Sequence, residues 1–406
     1  MESTRIKVTT IDYYHRDKNM KVTCGLLPKK LNSNRLYFDD PSLKVPIINL
    51  DIEVSDSGAG ENQMESLLEY IRQKGWPNGQ KPDFVTNKQL LKCVASDEFE
   101  EINVEVFRMD DVVFMLKTSQ EKTGAQNFGT AFERFMTRKS EDEKIDNDAS
   151  VKKAVFVAEI PRKTSKETFK VMYSGEIDAI DDSNQHYELK VFVGGLSQYF
   201  WENRSCSCYW QCILSNVPTL VAGSRTGRQD CDPRTLPPKS LPPLSLYNIT
   251  PVMVQDMPAE VKKKYYARNG GKFNLKDMYW NVYSCEERLK KFLSLVSLCD
   301  TGCSYRFSKS KTDSEWTVER KEGPQSSFEK LVTDYVPQTS STSHDQSPIV
   351  LSEPEVSIET ENVPSNELLS KATQHLRISS KSGKSKPKPM SKQRQQSEGS
   401  KTTVFK

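Results

Sequence analysis

Two short segments, GEIDAID (175–181) and YELK (187–190), carry ionisable side chains at alternating positions. These side chains are Glu176, Asp178, Glu188 and Lys190. Because side chains in a strand alternate between two faces, the four would share one face of a hairpin whose other face is core. Carboxylates crowded in this way repel one another unless a cation neutralises them. Oxygen ligands of this kind favour Mg²⁺ or Mn²⁺ over zinc, so the two segments predict a divalent metal site.

A site of this composition is suited to phosphodiester hydrolysis. Two metal ions ~4 Å apart can stabilise both the attacking and the leaving oxygen of an in-line displacement. Lys190, two residues after Glu188, could position the water or neutralise charge in the transition state. The Asp-x9-Glu-x-Lys spacing is that of the PD-(D/E)xK nuclease hairpin, although an ordinary solvated face of mixed charge would give the same pattern.

The elements that must position these residues form a mixed α/β pattern. Apolar residues of 128–136 recur at helical spacing and leave Glu133 at the margin of the apolar stripe. Strands are predicted where β-branched and aromatic residues dominate. They cover 153–159, 168–180, 186–193, 219–224, 303–308 and 315–320. Further helices are predicted over 196–215 and 275–299, whereas the paired prolines of 231–251 favour a surface loop. We expect one large domain with a central mixed sheet flanked by helices.

Four motifs together extend the pattern beyond the hairpin. They are GTAFE (129–133), GEID (175–178), ELK (188–190) and WQCILSNVPTLVAGSR (210–225). In this order and spacing, they resemble the DXO family of decapping exoribonucleases, over roughly residues 10–322. The resemblance implies a PD-(D/E)xK nuclease-like fold and activity on RNA 5′ ends.

The resemblance also implies a role for each matching residue. The direct metal ligands would be Glu133, Asp178, Glu188 and the backbone carbonyl of Leu189. Glu176 would reach the metal through water or lie against the substrate, and Lys190 and Gln211 would act at the scissile phosphate. Catalysis would therefore fall to Glu176, Lys190 and Gln211, and these residues and Glu133 would also contact substrate.

One segment departs from the family pattern. Where the family has Trp-Arg-Gly on a strand, this chain has Asn87-Lys88-Gln89. Lys88 keeps a positive charge but lacks the planar fork with which arginine grips a phosphate. We therefore expect Lys88 to contact substrate as a point charge.

These residues predict a metal-dependent hydrolase of capped or 5′-phosphorylated RNA, with two Mg²⁺ or Mn²⁺ ions. By resemblance, it would remove intact, incomplete or NAD caps, degrade RNA onward in the 5′-to-3′ direction and meet a partner exoribonuclease. The alternative is a catalytically impaired RNA-binding or regulatory paralogue of the same fold, which the departure at Lys88 favours. The oligomeric state stays open.

The charge distribution separates a body from a tail. The whole chain of 406 residues has a net charge of +3, but residues 371–406 carry +9, residues 323–370 carry −7 and residues 1–322 carry +1. We predict a catalytic domain over 1–322 and a disordered tail over 323–406, since the tail has too few apolar residues to offset chain entropy. The basic run 381–394 is typical of a nuclear import signal or a nucleic-acid-binding arm, and equally of a solubilising tail; we expect nuclear localisation.

Other expectations concern compartment and single residues. No apolar run approaches the ~20 residues of a membrane helix, and the first residues do not resemble a secretory signal. Nine cysteines in such a chain favour reduced thiols inside the cell. His186 is expected in a solvated turn.

Overall fold

The computed structural model describes residues 4–17, 19–36, 44–51, 64–97, 101–118, 128–139, 151–162, 167–227, 241–270, 278–313 and 315–336. Within these residues the chain forms fourteen β-strands and eight α-helices. The strands are β1 (Lys7–Arg16), β2 (Val22–Cys24), β3 (Ile48–Asn49), β4 (Phe84–Asn87), β5 (Glu101–Met109), β6 (Val112–Lys117), β7 (Val151–Pro161), β8 (Thr168–Glu176), β9 (Ala179–Ile180), β10 (His186–Val193), β11 (Thr219–Arg225), β12 (Ser245–Met253), β13 (Ser304–Ser310) and β14 (Thr317–Arg320). The helices are α1 (Glu65–Lys74), α2 (Lys88–Ser96), α3 (Phe128–Thr137), α4 (Gln198–Asn203), α5 (Ser205–Ile213), α6 (Met257–Arg268), α7 (Val282–Val296) and α8 (Ser327–Tyr335).

The strands are divided between two mixed sheets. The first has nine strands in the order β14-β13-β5-β6-β4-β8-β7-β1-β2, and the second has five in the order β3-β12-β11-β10-β9. In the first sheet β4 runs parallel to both β6 and β8, and in the second β10 runs parallel to β11. The predicted mixed α/β class is confirmed, with two mixed sheets where one central sheet was expected.

Helices cover both faces of the nine-stranded sheet, because its strands alternate apolar side chains between the two faces. On β5, Val104 and Val106 join the core that holds α2, α5 and α7. Phe107 and Met109 of the same strand join a second core with α1 and α8. A third core lies on the five-stranded sheet, where α3 packs Phe132 against residues of β10, β11 and β12.

The chain passes from one sheet to the other within the segment that was predicted as a single strand. β8 ends at Glu176 in the nine-stranded sheet, and β9 begins at Ala179 in the five-stranded sheet. The crossing residues are Ile177, whose side chain is buried in the first core, and Asp178. A continuous strand over 168–180 was therefore wrong, because the backbone changes partners after Glu176.

Other predicted elements are shorter or divided. The helix expected over 196–215 is two helices, because Arg204 has non-helical angles (φ −124°, ψ −27°). The helix expected over 275–299 spans Val282–Val296, and part of its predicted first turn lies outside the described residues.

The segment 231–251 is not wholly a loop, since β12 begins at Ser245 and includes Pro251. Proline is tolerated there because β3 pairs only with Ser245 and Leu246, which leaves Pro251 on an edge.

The compact unit extends past the predicted boundary at residue 322. Helix α8 packs Phe328 and Val332 into the core that contains α1. Tyr335 Oη donates a hydrogen bond to Glu65 (3.0 Å), and Ser304 Oγ donates one to Glu329 (2.8 Å). The unit runs to Ser341, so 323–336 must be counted with the body. The rest of the predicted tail, with the basic run 381–394, lies outside the described residues.

In the described parts of the chain, no helix is both long enough and apolar enough to cross a lipid bilayer.

Candidate active site

The GEID motif lies where the chain crosses between the two sheets. Glu176 is the last residue of β8 and is exposed, and half-buried Asp178 follows two residues later. The Asp178 carboxylate accepts a hydrogen bond from the backbone N–H of Leu189 (2.8 Å), which fixes it against β10. Glu176 therefore ends a strand of the nine-stranded sheet and Asp178 lies in the crossing, so the two do not share one hairpin strand as predicted. The crossing still brings both carboxylates to the same cleft.

Helix α3 places Glu133 opposite this crossing. Its Phe132 is fully buried, and its ring packs so closely over Gly223 of β11 that a Cβ there would lie 2.9 Å from it. The next residue, Glu133, is half-buried and faces the cleft. Burial raises the pKa of Glu133 to about 8, and the charge of Asp178 adds to the rise while Lys190 opposes it.

The ELK motif continues the site along β10. Glu188 is buried and Leu189 points its side chain into the third core, as predicted. Lys190 forms ion pairs with Glu188 and with Asp178 (3.3 Å), and Gln211 of α5 donates a hydrogen bond to Glu188. Burial, followed by the charge of Asp178, raises the pKa of Glu188.

Lys190 is the cation among these carboxylates. Burial by itself would lower the pKa of Lys190, but Asp178, Glu188 and Glu133 outweigh it and hold that pKa well above its ordinary value. The ammonium group therefore stays protonated at neutral pH.

Together these elements enclose a cleft of about 380 Å³. The predicted residues that line it are Lys88, Glu133, Glu176, Asp178, Lys190 and Gln211. Glu188 lies behind this surface, where it contacts Lys190 and Gln211. The structure thus brings together the charged and amide side chains that the sequence singled out.

Lys88 enters the cleft from the start of a helix. Asn87 caps α2 by accepting a hydrogen bond from Leu90 N (2.9 Å), so Lys88 is the first helical residue and does not lie on a strand. Its Nζ donates to the carbonyl oxygen of Glu176 (2.9 Å) and to Ser215 Oγ (2.8 Å). The Lys88 side chain crosses directly over Gly175, where a Cβ would lie 2.7 Å from it. Lys88 is therefore held at the cleft by neighbours from two other elements.

His186 was predicted in a solvated turn, and this was wrong. The residue is buried, with Nδ1 2.7 Å from Ser215 O and Nε2 2.8 Å from Tyr13 Oη. Burial lowers its pKa, which favours the neutral ring. Because Ser215 also contacts Lys88, His186 supports the turn that holds Lys88.

Sequence reasoning missed several residues of the cleft. Lys117, Lys153, Ser174 and Met64 line it, and Ser215 supports Lys88 from behind. Lys117 and Lys153 lie near strand ends, and Met64 precedes α1, all distant in sequence from the motifs. Ser174 directly precedes GEID, and Ser215 lies within the motif 210–225. The only available signal was that Lys153 begins a predicted strand.

The donor set fits a divalent cation. Glu133, Asp178 and Glu188 lie around one lysine, Lys190, and burial, followed by the charge of Asp178, raises the pKa values of Glu133 and Glu188. Among the described residues, no three His, Cys, Asp or Glu side chains are arranged to hold a metal ion, and Lys190 forms ion pairs with both Glu188 and Asp178. A cation bound here would take over the neutralising role of the lysine.

Relatives of this chain were found by sequence and by structure. Decapping nuclease dom-3 of Caenorhabditis elegans is 24% identical over 240 residues, which cover 50% of this chain and 61% of that protein. The match thus spans less than two thirds of that relative.

Two crystal structures share the fold. Candida albicans Rai1, in complex with pU5-Mn2+, has a TM-score of 0.55 at 16% identity and covers 81% of this chain and 92% of its own. Scheffersomyces stipitis Rai1, in complex with (3'-NADP)+ and calcium ion, has a TM-score of 0.56 at 16% identity, covering 79% and 90%.

The resemblance to decapping nucleases is confirmed by a family model, described as RAI1-like PD-(D/E)XK nuclease, that matches residues 14–232. This range contains the helix of Glu133, the crossing between the sheets and the strand of Glu188 and Lys190. Since the match covers more than half of the sequence, this chain belongs to the RAI1-like PD-(D/E)XK nuclease family.

Proposed function

We propose that this chain is a metal-dependent hydrolase that removes caps from RNA 5′ ends. The observation that carries the proposal is the cluster of Glu133, Asp178 and Glu188 around Lys190, in a cleft that also contains Gln211 and Lys88. Membership of a nuclease family supports the reaction class. The named relatives, one a decapping nuclease and two bound to a nucleotide or oligonucleotide, support the substrate class.

Metal ligands in this proposal are Glu133, Asp178, Glu188 and the Leu189 carbonyl, with Glu176 reaching the metal through water. We propose two Mg²⁺ or Mn²⁺ ions, because two ions held by these carboxylates could stabilise both the attacking and the leaving oxygen of the phosphodiester. When bound, the metal would supply a hydroxide nucleophile at neutral pH and stabilise charge on the scissile phosphate.

The protein's own side chains prepare the site for this reaction. Gln211 holds Glu188 by a hydrogen bond, and the Leu189 N–H holds Asp178, so two carboxylates have fixed orientations. Lys190 stays protonated, because its pKa is raised, and therefore serves as an electrostatic partner of the phosphate and not as a base. Lys88 adds a second ammonium group beside Glu176.

The position of Lys88 also favours a second candidate function. Two hydrogen bonds already engage its ammonium group, and the resemblance to the family places this lysine where an arginine is usual. A paralogue that binds RNA without hydrolysing it would keep the fold and lose this grip on substrate.

The decisive experiment incubates the purified full chain with end-labelled RNA carrying an intact, an incomplete or an NAD cap, or a 5′-monophosphate. Each RNA is tested with Mg²⁺, with Mn²⁺ and with EDTA. We expect metal-dependent removal of at least one cap, and shortening of the monophosphate RNA if 5′-to-3′ exoribonuclease activity is present.

Two variants connect the activity to the cluster. The double variant Asp178→Asn and Glu188→Gln should retain less than a tenth of wild-type hydrolysis and should lose Mn²⁺ binding by calorimetry. Asp182→Asn, an exposed neighbour whose carboxylate lies in the next turn, is the matched control. Full activity of the double variant would refute the site, and binding of RNA by the wild type without hydrolysis would favour the paralogue.

We further propose that the protein acts in the nucleus with a partner exoribonuclease. The support is the basic run 381–394 and the family membership. A reporter fused to residues 371–406 should enter nuclei, and the same fusion with the lysines of 381–394 changed to alanine should not.

A further inference from the structure

Four neighbouring strands end or begin at one edge of the nine-stranded sheet. β6, β4 and β8 run parallel, so their C-terminal ends lie side by side, and antiparallel β7 brings its N-terminal end to the same edge. In strand order, this edge carries Lys117, Lys88, Glu176 and Lys153. All four side chains line the catalytic cleft.

Lys153 is built into this edge. It pairs with Glu176 across β7 and β8, and its Nζ donates a hydrogen bond to Ser66 Oγ (3.2 Å). Ser66 is buried and lies 2.9 Å from Tyr14 Oη, which in turn donates to Ser174 Oγ (3.0 Å). The backbone and the ammonium group of Lys153 are therefore both held in place, on the side of Glu176 opposite to Lys88.

Lys88 has the corresponding position on the other side of Glu176. Its Nζ uses two N–H groups, for the Glu176 carbonyl and Ser215 Oγ. An ammonium group has three N–H donors, so one remains to donate to a ligand in the cleft. Lys117 lies one strand further along, at the end of β6.

The row is longer than one phosphate group. Lys117 and Lys153 are separated by three strand spacings, or about 14 Å at ~4.8 Å each. A single phosphate cannot contact both ends, whereas successive phosphates of an extended strand can. The lysine ammonium group is a point charge that can donate to phosphates from many angles, which suits contacts with an RNA backbone of any sequence.

We infer that Lys117, Lys88 and Lys153 form a phosphate-binding row that takes successive backbone phosphates of one RNA strand running across these strand ends. The inference rests on the proposed function, since it assumes that RNA is the substrate. It adds a path for the RNA backbone, and it assigns binding roles to Lys117 and Lys153.

The row can be tested by RNA binding without hydrolysis. The full chain is titrated with a labelled, unstructured single-stranded RNA in EDTA, and fluorescence anisotropy is followed at several salt concentrations. Log affinity falls as log salt rises, and each phosphate contact in single-stranded nucleic acid makes this slope steeper by about 0.7. Lys117→Ala and Lys153→Ala should each make the slope shallower by about 0.7, and the double variant by about 1.4.

Matched variants separate charge from folding. Lys152 is adjacent to Lys153 on β7, so its side chain points to the opposite face, and Lys152→Ala should leave the slope unchanged. Lys153→Arg should keep the wild-type slope. Lys153→Gln should lose the contribution of one phosphate contact to the slope, although the glutamine amide can still donate a hydrogen bond to Ser66. A mononucleotide reaches only one position, so its binding should respond to at most one of the lysine variants.

The outcomes distinguish the row from the proposed function. The row would be overturned if Lys117→Ala and Lys153→Ala gave the same slope as the control Lys152→Ala. It would also be overturned if the wild type bound no RNA in EDTA. Hydrolysis is measured separately with Mg²⁺ or Mn²⁺. Altered slopes in a protein that hydrolyses no RNA would support the row and refute the proposed hydrolase.

Discussion

The ionisation of Glu133 depends on its burial and on the charges of the cleft around it. Its pKa is raised to about 8 by burial and by Asp178, so without metal it is largely protonated at neutral pH. A carboxyl group whose pKa is higher in the folded than in the unfolded chain stabilises the fold at low pH. This stabilisation is complete below the ordinary value near 4.5 and is lost as pH rises through about 8.

We therefore expect the melting temperature of the metal-free wild type to fall relative to that of Glu133→Gln as pH rises from about 4.5 to about 8. Above pH 8 the difference between the two melting temperatures should stay constant. Thermal unfolding in EDTA across this range measures the difference. A constant difference between the two proteins would show that Glu133 ionises normally.

The absence of a side chain at Gly175 allows the Lys88 side chain to pass over the backbone at this position. A Cβ at this position would lie 2.7 Å from Cδ and Cε of Lys88, which are parts of a flexible side chain. Gly175→Ala should therefore displace the Lys88 ammonium group while the fold survives. Loss of a charge-assisted hydrogen bond is worth about 1.5 to 3 kcal/mol, so we expect KM for RNA to rise at least tenfold.

Steady-state kinetics of Gly175→Ala beside Lys88→Met measures this effect, since the methionine keeps the stem and removes the charge. Equal increases in KM support a substrate contact at Lys88. Unchanged kinetics in both variants would show that Lys88 only stabilises the turn at Ser215.

At the scale of the elements, His186 ties β10 to β1 and to the turn after α5. It contacts the carbonyl of Ser215, away from water, and the hydroxyl of the half-buried Tyr13. His186→Phe fills similar space but leaves the buried Ser215 carbonyl without a partner, at a cost of about 1 to 3 kcal/mol, and also removes the partner of the Tyr13 hydroxyl. We expect a lower melting temperature and, because Ser215 holds Lys88, a higher KM for RNA.

The paired variant His186→Phe with Tyr13→Phe is the control for this prediction. It also removes the Tyr13 hydroxyl, one of the two groups that lose their partner in His186→Phe, so it should regain part of the lost stability. If His186→Phe alone leaves both stability and KM unchanged, the histidine is no support for the cleft.

For the whole molecule, the position of the last packed element decides where the body ends. Truncation after residue 341 keeps α8, whereas truncation after residue 322 removes it and exposes the surface that Phe328 and Val332 cover. Burial of these two side chains is worth about 3 to 6 kcal/mol. We expect the longer truncation product to unfold at the same temperature as the full chain and the shorter one to unfold several degrees lower. Calorimetry of the three proteins decides this, and equal melting temperatures would place α8 outside the folding unit.

The sequence by itself determined the parts of the site that depend on local periodicity. The helical stripe of 128–136 located Glu133, and the period-two alternation of 186–193 placed Glu188 and Lys190 on one side and Leu189 in the core. These patterns are readable because each residue's neighbours lie within one turn or one strand pairing.

Tertiary structure alone decided the features that join distant segments. The crossing at Ile177–Asp178, the burial of His186 and the row from Lys117 to Lys153 depend on which strands become neighbours in the two sheets. Strand order is set by packing across hundreds of residues, and no local pattern records it. The motifs therefore predicted which charged side chains meet in the cleft, and the sheets determined which lysines lie beside them.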